Sequence, residues 1–153
     1  MPGTYAHISI QIVFAVRFRK ALISPAWEAD LYKYITGIVK NNGQNLIAIN
    51  GMPDHIHIFL GLRPECHLPS LVREIKKSSN NFINKNNLTG ERFYWQNGYG
   101  AFSYGRSQMM TVVNYIENQK TIHLRRSLRE EFIELLTRFE VEYKSDYLFE
   151  LVE

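Results

Sequence analysis

The run Gly51-Met-Pro-Asp-His-Ile-His-Ile-Phe-Leu60 joins a tight turn to an extended segment. Glycine, proline and aspartate cluster where a chain reverses, and the β-branched and aromatic residues that follow suit a strand. In an extended strand, side chains at i and i+2 lie on the same face. His55 and His57 therefore share a face, while Ile56 turns the other way, into the core. Leu46 to Asn50 precedes the turn as another short strand, so the pair reads as a hairpin. Two imidazoles on one face suit a divalent metal, because neutral imidazole offers a lone pair near pH 7. A pair of strand histidines engaged only in hydrogen bonds fits the same spacing, and spacing alone leaves both readings open.

Working outward from the hairpin, the segment His7 to Arg17 alternates Ile8, Ile10 and Ile12 and predicts a long first strand. Ser24-Pro25 supplies a helix start, and Trp27, Leu31, Tyr34, Ile35 and Ile38 recur at helical spacing until Asn41-Asn42-Gly43. After the hairpin, Leu68-Pro69-Ser70 opens a second helix with a buried stripe of Leu71, Val72, Ile75, Ser79 and Phe82. Arg73, Lys76 and Lys77 lie on another face of it. Phe93-Tyr-Trp95 and Tyr99 to Tyr104 predict a strand region interrupted by Gly98, followed by a helix from about Ser107 to Lys120. The order βαββαβ is the split βαβ arrangement of an α+β, ferredoxin-like or RRM-like domain: an antiparallel sheet with two helices on one face. The other face is expected to stay available. A tyrosine-bearing helix and a C-terminal amphipathic helix, with Leu128, Phe132, Leu135, Leu136 and Phe139 in step, complete the chain.

A chain of 153 residues with 45% hydrophobic content is expected to form one domain over residues 1–153. The formal charge of +3 permits a polyanionic partner without demanding one. Cys66 is the single cysteine, which excludes an internal disulfide and a cysteine zinc pair. No basic-then-apolar leader opens the sequence, and no run approaches the roughly 18 apolar residues of a membrane span. The expectation is a soluble cytoplasmic protein without a membrane partner.

Tyr115 and Gln119 stand four residues apart in the predicted helix after the fourth strand, one turn apart on one side. Tyr115 falls at the edge of the apolar stripe Met109, Val112, Val113 and Ile116. Taken alone, the helix is read first as carrying an ordinary boundary tyrosine and a solvated amide, with a Tyr115 that faces a cleft as the lesser reading. Taken together, Asp54-His55-Ile56-His57 after a Met-Pro turn, then Trp95-Gln-Asn-Gly-Tyr-Gly-Ala-Phe-Ser103, then Tyr115-x-x-x-Gln119, resemble the single-tyrosine HUH transposases of the insertion-sequence 200/605 type. The resemblance spans most of the chain, including its length, motif order and tail.

That resemblance implies a DNA transposase that cuts and rejoins single-stranded DNA at element ends through a 5′-phosphotyrosine. Tyr115 would be the nucleophile, and His55, His57 and Gln119 would bind Mg²⁺ or Mn²⁺. One such cation can neutralise charge on the non-bridging and leaving oxygens as a Lewis acid. A phenol titrates near 10, within reach of ionisation, and a phosphotyrosine conserves the bond for rejoining without ATP. Two imidazoles are softer ligands than magnesium prefers, which favours manganese at least as much. The family also implies single-stranded DNA with hairpin ends as substrate, and a homodimer in which one subunit's tyrosine helix can complete the other's metal site.

Asp54 either hydrogen-bonds a ligand imidazole or caps the turn with its side chain, and the turn is the preferred reading. His123 lies one turn past Gln119 and is expected as an exposed helix-end residue sooner than as an auxiliary ligand. His7 and His67 have no spacing that places them at a site. Arg73, Lys76 and Lys77, with Lys120, Arg125, Arg126 and Arg129, are candidate phosphate contacts or simply solvated charge. The aromatics from Phe93 to Tyr104 suit base stacking, core or a dimer interface. Two rival functions stay in view. One is a domesticated relative, or a replication or conjugation initiator, with the same nicking chemistry; the other is a non-catalytic ferredoxin-like RNA-binding module.

Overall fold

A computed structural model describes residues 3–123 and 126–144. Four strands, β1 (Ser9–Ala15), β2 (Asn45–Met52), β3 (His55–Gly61) and β4 (Gly100–Tyr104), form one sheet in the order β2-β3-β1-β4. Every pairing is antiparallel. Helices α1 (Glu28–Asn41) and α2 (Leu68–Lys85) are the crossovers of the split βαβ arrangement. The βαββαβ order predicted from periodicity is the one observed.

Alternation sorts the strands into two faces. Ile12 and Phe14 of β1 and Ile56, Ile58 and Leu60 of β3 pack with Leu31, Ile35 and Val39 of α1 and Leu71, Val72, Ile75 and Ile83 of α2. Their neighbours Gln11, His55 and His57 are fully buried on the opposite face. The hairpin places β2 close enough that a Cβ on Gly51 would lie 2.2 Å from the His55 carbonyl oxygen, so only glycine fits there. The register sets His57 beside Val13 on one side and Asn50 on the other.

The second face, expected to stay open, is roofed by the chain's own C-terminal third. Helix α3 (Met109–Glu117) sets Val112 and Ile116 on Ala48 and Phe59. Helix α5 (Leu128–Arg138) sets Leu128, Leu135 and Leu136 on Val13, Ala15 and Phe102. The physical reason is the apolar stripe on each helix, which is buried only by lying on a sheet face that α1 and α2 leave uncovered. Gly100 admits α5: a Cβ there would meet the Phe132 ring at 2.6 Å. Ser127 caps α5 by accepting from the Glu130 amide at 3.1 Å.

Three segments depart from expectation. The chain leaves β1 through a 3-10 turn at Arg17–Arg19, where Phe18 has φ 59. Phe93-Tyr-Trp95 forms no strand; Trp95 pairs with Val16, just past β1, through an isolated bridge, while Phe93 and Trp95 sink into the α1/α2 core. The helix expected over 107–120 is three pieces: a 3-10 turn at Arg106–Gln108, α3, and a single turn α4 (Gln119–Ile122). The break falls at Asn118, whose side-chain amide donates to the Asn114 carbonyl at 2.7 Å and closes α3.

A candidate metal and tyrosine site

β3 delivers His55 and His57 to the roofed face, their ring centroids 5.1 Å apart and both rings wholly buried. Each is held from behind. The Asp54 carboxylate meets His55 Nδ1 at 2.7 Å, so its side chain serves the imidazole as well as its own backbone in the turn. Gln11 of β1 sits 2.8 Å from His57 Nδ1, and the Tyr104 hydroxyl donates to Gln11 Oε1 at 2.8 Å.

Four further side chains close the pocket. Gln119, first residue of α4, puts Oε1 3.3 Å from His55 Nε2 and is fully buried. His123 packs its ring 4.6 Å from that of His55, with only 6% of its side chain exposed, so the expected exposed helix-end histidine is an inward-facing one. Tyr115 reaches in from α3, its ring 5.8 Å from His57 edge to face. Glu131 of α5 occupies the centre. Its Oε1 lies 2.8 Å from His123 Nε2 and 3.1 Å from His57 Nε2. Its Oε2 accepts from the Gln119 amide at 3.0 Å and from the Tyr115 hydroxyl.

Electrostatics follow burial. Desolvation holds His57 well below the usual imidazole range and His123 down to about 4, with His55 nearby adding to both. Neutral rings keep the lone pairs a metal needs. Burial pushes Glu131 up to about 7, against the opposing pull of His55. Burial also pushes Asp54 up, but its hydrogen bond to His55 and that ring's charge outweigh it, and the carboxyl rests below its ordinary value. The Nε2 or carboxylate oxygens of His55, His57, His123 and Glu131 lie within 4.8 Å of one another, a donor set that fits a divalent cation.

Glu131 escaped the sequence reading, though a signal existed. It stands three residues after Leu128 and four before Leu135, so an acid falls within the apolar stripe of an amphipathic helix. Gln11 and Tyr104 had no signal beyond their places in strands.

The candidate phosphate contacts divide. Lys76 Nζ donates to the carbonyls of Gln96 at 2.7 Å and Gly98 at 2.6 Å, and burial lowers it to about 8. It braces the 96–98 loop. Arg73 and Lys77 are exposed beside a groove of about 550 Å³ that Asn80, Tyr94, Asn97 and Tyr99 also line. Lys120 binds Glu28 at 3.1 Å and the Gly51 carbonyl at 2.5 Å, tying α4 to α1 and the hairpin. Arg126 pairs with Glu134. Arg129 is half-buried on α5, and Arg125 lies outside the described residues. A separate cavity of about 410 Å³ between α3 and α5 is lined by Tyr104, Thr111, Tyr115, Glu131 and Arg138 and brings solvent space to the tyrosine. No helix among the described residues is long and apolar enough to cross a membrane.

A ferredoxin-like sheet carrying a His-x-His pair under a tyrosine helix defines a recognisable class, and comparison agrees with it. Residues 4–119 match the family described as "Transposase IS200 like", and the chain belongs to that family of DNA transposases. It is 24% identical over 123 residues to ISDra2 transposase TnpA of Deinococcus radiodurans, covering 76% of this chain and 87% of that one. Its fold is shared with a crystal structure from Deinococcus radiodurans R1 assigned as a transposase. There the TM-score is 0.62 at 22% identity, over 78% of this chain and 95% of that one. The REP-associated tyrosine transposase bound to a REP hairpin is also similar in fold, with TM-score 0.60 at 19% identity over 80% and 73%.

Proposed function

We propose that the protein cuts and rejoins single-stranded DNA at element ends, with Tyr115 as nucleophile. The observation that carries this is the meeting of the Tyr115 hydroxyl with His55, His57 and Gln119 around one buried carboxylate. In the cutting step Tyr115 Oη attacks the phosphorus in line, the P–O3′ bond breaks, and the products are a 5′-phosphotyrosine and a free 3′-OH. The phenolic hydrogen has an acceptor in Glu131 Oε2. Rejoining reverses the exchange, with a 3′-OH attacking the phosphotyrosine. His55, His57 and Gln119 would hold Mg²⁺ or Mn²⁺, which would supply Lewis-acid stabilisation of the phosphoryl oxygens. Asp54 and Gln11 hold the two rings in place from behind.

The substrate is single-stranded DNA with hairpin ends. The exposed Arg73 and Lys77 beside Tyr94 and Tyr99 support this reading, because cations with neighbouring aromatics suit phosphates and unpaired bases. So does a structural neighbour bound to a REP hairpin. Two ends held at once need two nucleophiles, and Tyr115 provides one per chain, so a homodimer is the working form.

Incubation with cognate single-stranded ends and Mn²⁺ should give a covalent protein–DNA adduct that mass spectrometry maps to Tyr115 and that Tyr115→Phe reduces to background. An adduct that persists in Tyr115→Phe overturns the assignment.

A further inference from the structure

The family match ends at residue 119, yet two of the four side chains whose donor atoms converge, His123 and Glu131, lie beyond it. The Asp54 carboxylate accepts only, so His55 Nδ1 carries a hydrogen. His55 Nε2 faces two oxygens, Gln119 Oε1 at 3.3 Å and Glu131 Oε1 at 3.6 Å. These atoms, turned towards one another inside a buried pocket, call for a positive charge among them, and the donor atoms of His57 and His123 lie within 4.8 Å of those of His55 and Glu131. The same carboxylate oxygen is also approached by Nε2 of His57 and of His123. For His57 to present a lone pair at Nε2, its hydrogen must sit on Nδ1. A half-turn of the Gln11 amide, which exchanges Oε1 and Nε2, provides the acceptor, and the Tyr104 hydroxyl then accepts from Gln11 Nε2 in place of donating to Oε1.

We propose that His123 and Glu131 are ligands of the same cation as His55 and His57, so that the segment after the family match supplies two of five protein donors. The set is three imidazole nitrogens, the Gln119 amide oxygen and the Glu131 carboxylate oxygen. This rests on the reading of His55 and His57 as ligands. Three imidazoles favour a transition cation such as Mn²⁺, Co²⁺ or Zn²⁺ over Mg²⁺, and the carboxylate offsets one of the ion's two charges in a site with little water. The C-terminal helix thereby becomes part of the metal centre as well as a roof over it.

Calorimetric titration of the full chain with Mn²⁺, without DNA, tests this. Folding of each variant is checked by circular dichroism. Glu131→Gln and His123→Ala should each weaken binding at least about tenfold, the scale on which metal sites respond to loss of a supporting group. X-ray absorption of the Co²⁺ or Zn²⁺ form should fit three imidazoles in the parent and two in His123→Ala. Parent-like affinity in both variants, with binding lost in His55→Ala, overturns this proposal while leaving the two-histidine reading intact. Tighter binding in Glu131→Gln also overturns it, because the carboxylate would then be filling the ion's place. Unchanged affinity in His55→Ala as well overturns the underlying reading. Should Glu131→Gln not fold, the parent's imidazole count decides, and two in place of three sinks the proposal.

Discussion

The two faces of the sheet are made by the same strands and do opposite things. Towards α1 and α2, β1 and β3 present Ile12, Phe14, Ile56, Ile58 and Leu60, an apolar layer in which none of these side chains needs a hydrogen-bond partner. Towards α3 and α5 the alternate residues include the polar Ser9, Gln11, His55 and His57, all buried, beside Val13, Ala15 and Phe59. Burying polar groups is costly unless each finds a partner, and here every one is spoken for by a residue that can also orient it. One face holds the fold, and the other holds a site in place by means of the first. A one-residue slip of β3 would exchange the two sets.

The contrast can be broken from either side. Ile56→Ala, on the aliphatic face, should cost about 2–5 kcal/mol of stability, read as a shift of the denaturant midpoint, while the folded protein keeps its affinity for Mn²⁺. A large loss of affinity at parent-like stability would show that the two faces are not separable. His57→Ala, one residue on, should do the reverse. Cleavage of single-stranded DNA should fall roughly 10²–10³-fold with hairpin binding kept, a drop on the scale of losing one transition-state stabiliser. Gly100→Ala probes the roof. A methyl group driven into Phe132 should cost about 1–3 kcal/mol and loosen α5, so Mn²⁺ affinity should fall together with thermal stability. The smallest effect belongs to the outer surface. Arg73→Ala and Lys77→Ala should each reduce the salt dependence of single-strand binding by about 0.7 in the log–log slope, without changing the metal affinity.

Much of the first face was legible because its rules are local. The period of two in β1 and β3, the Met-Pro-Asp turn and the stripes of α1 and α2 each span a few residues, and together they order the elements as βαββαβ. The histidine pair was legible for the same reason: i and i+2 share a face wherever a strand forms. Tyr115 and Gln119 were also picked out, but the continuous helix expected to carry both is interrupted at Asn118, where a side chain competes for a backbone carbonyl. Phe93 to Trp95 looked like a strand because aromatics favour sheets. It became an irregular plug because the rings gain more by packing against Phe14 and the α1/α2 core.

What the sequence by itself determined is therefore the sheet, its two crossovers, the shared direction of His55 and His57, and family membership through the motif order. Only the tertiary structure decided that α5 lies across the second face, that His123 points inward, and that Glu131 joins His57 across 74 residues of chain. Alternation states which way a side chain points from its own strand or helix. It carries no information about which distant helix will meet it, since that depends on stripes, on Gly100 leaving room for Phe132, and on buried polar groups finding partners all at once.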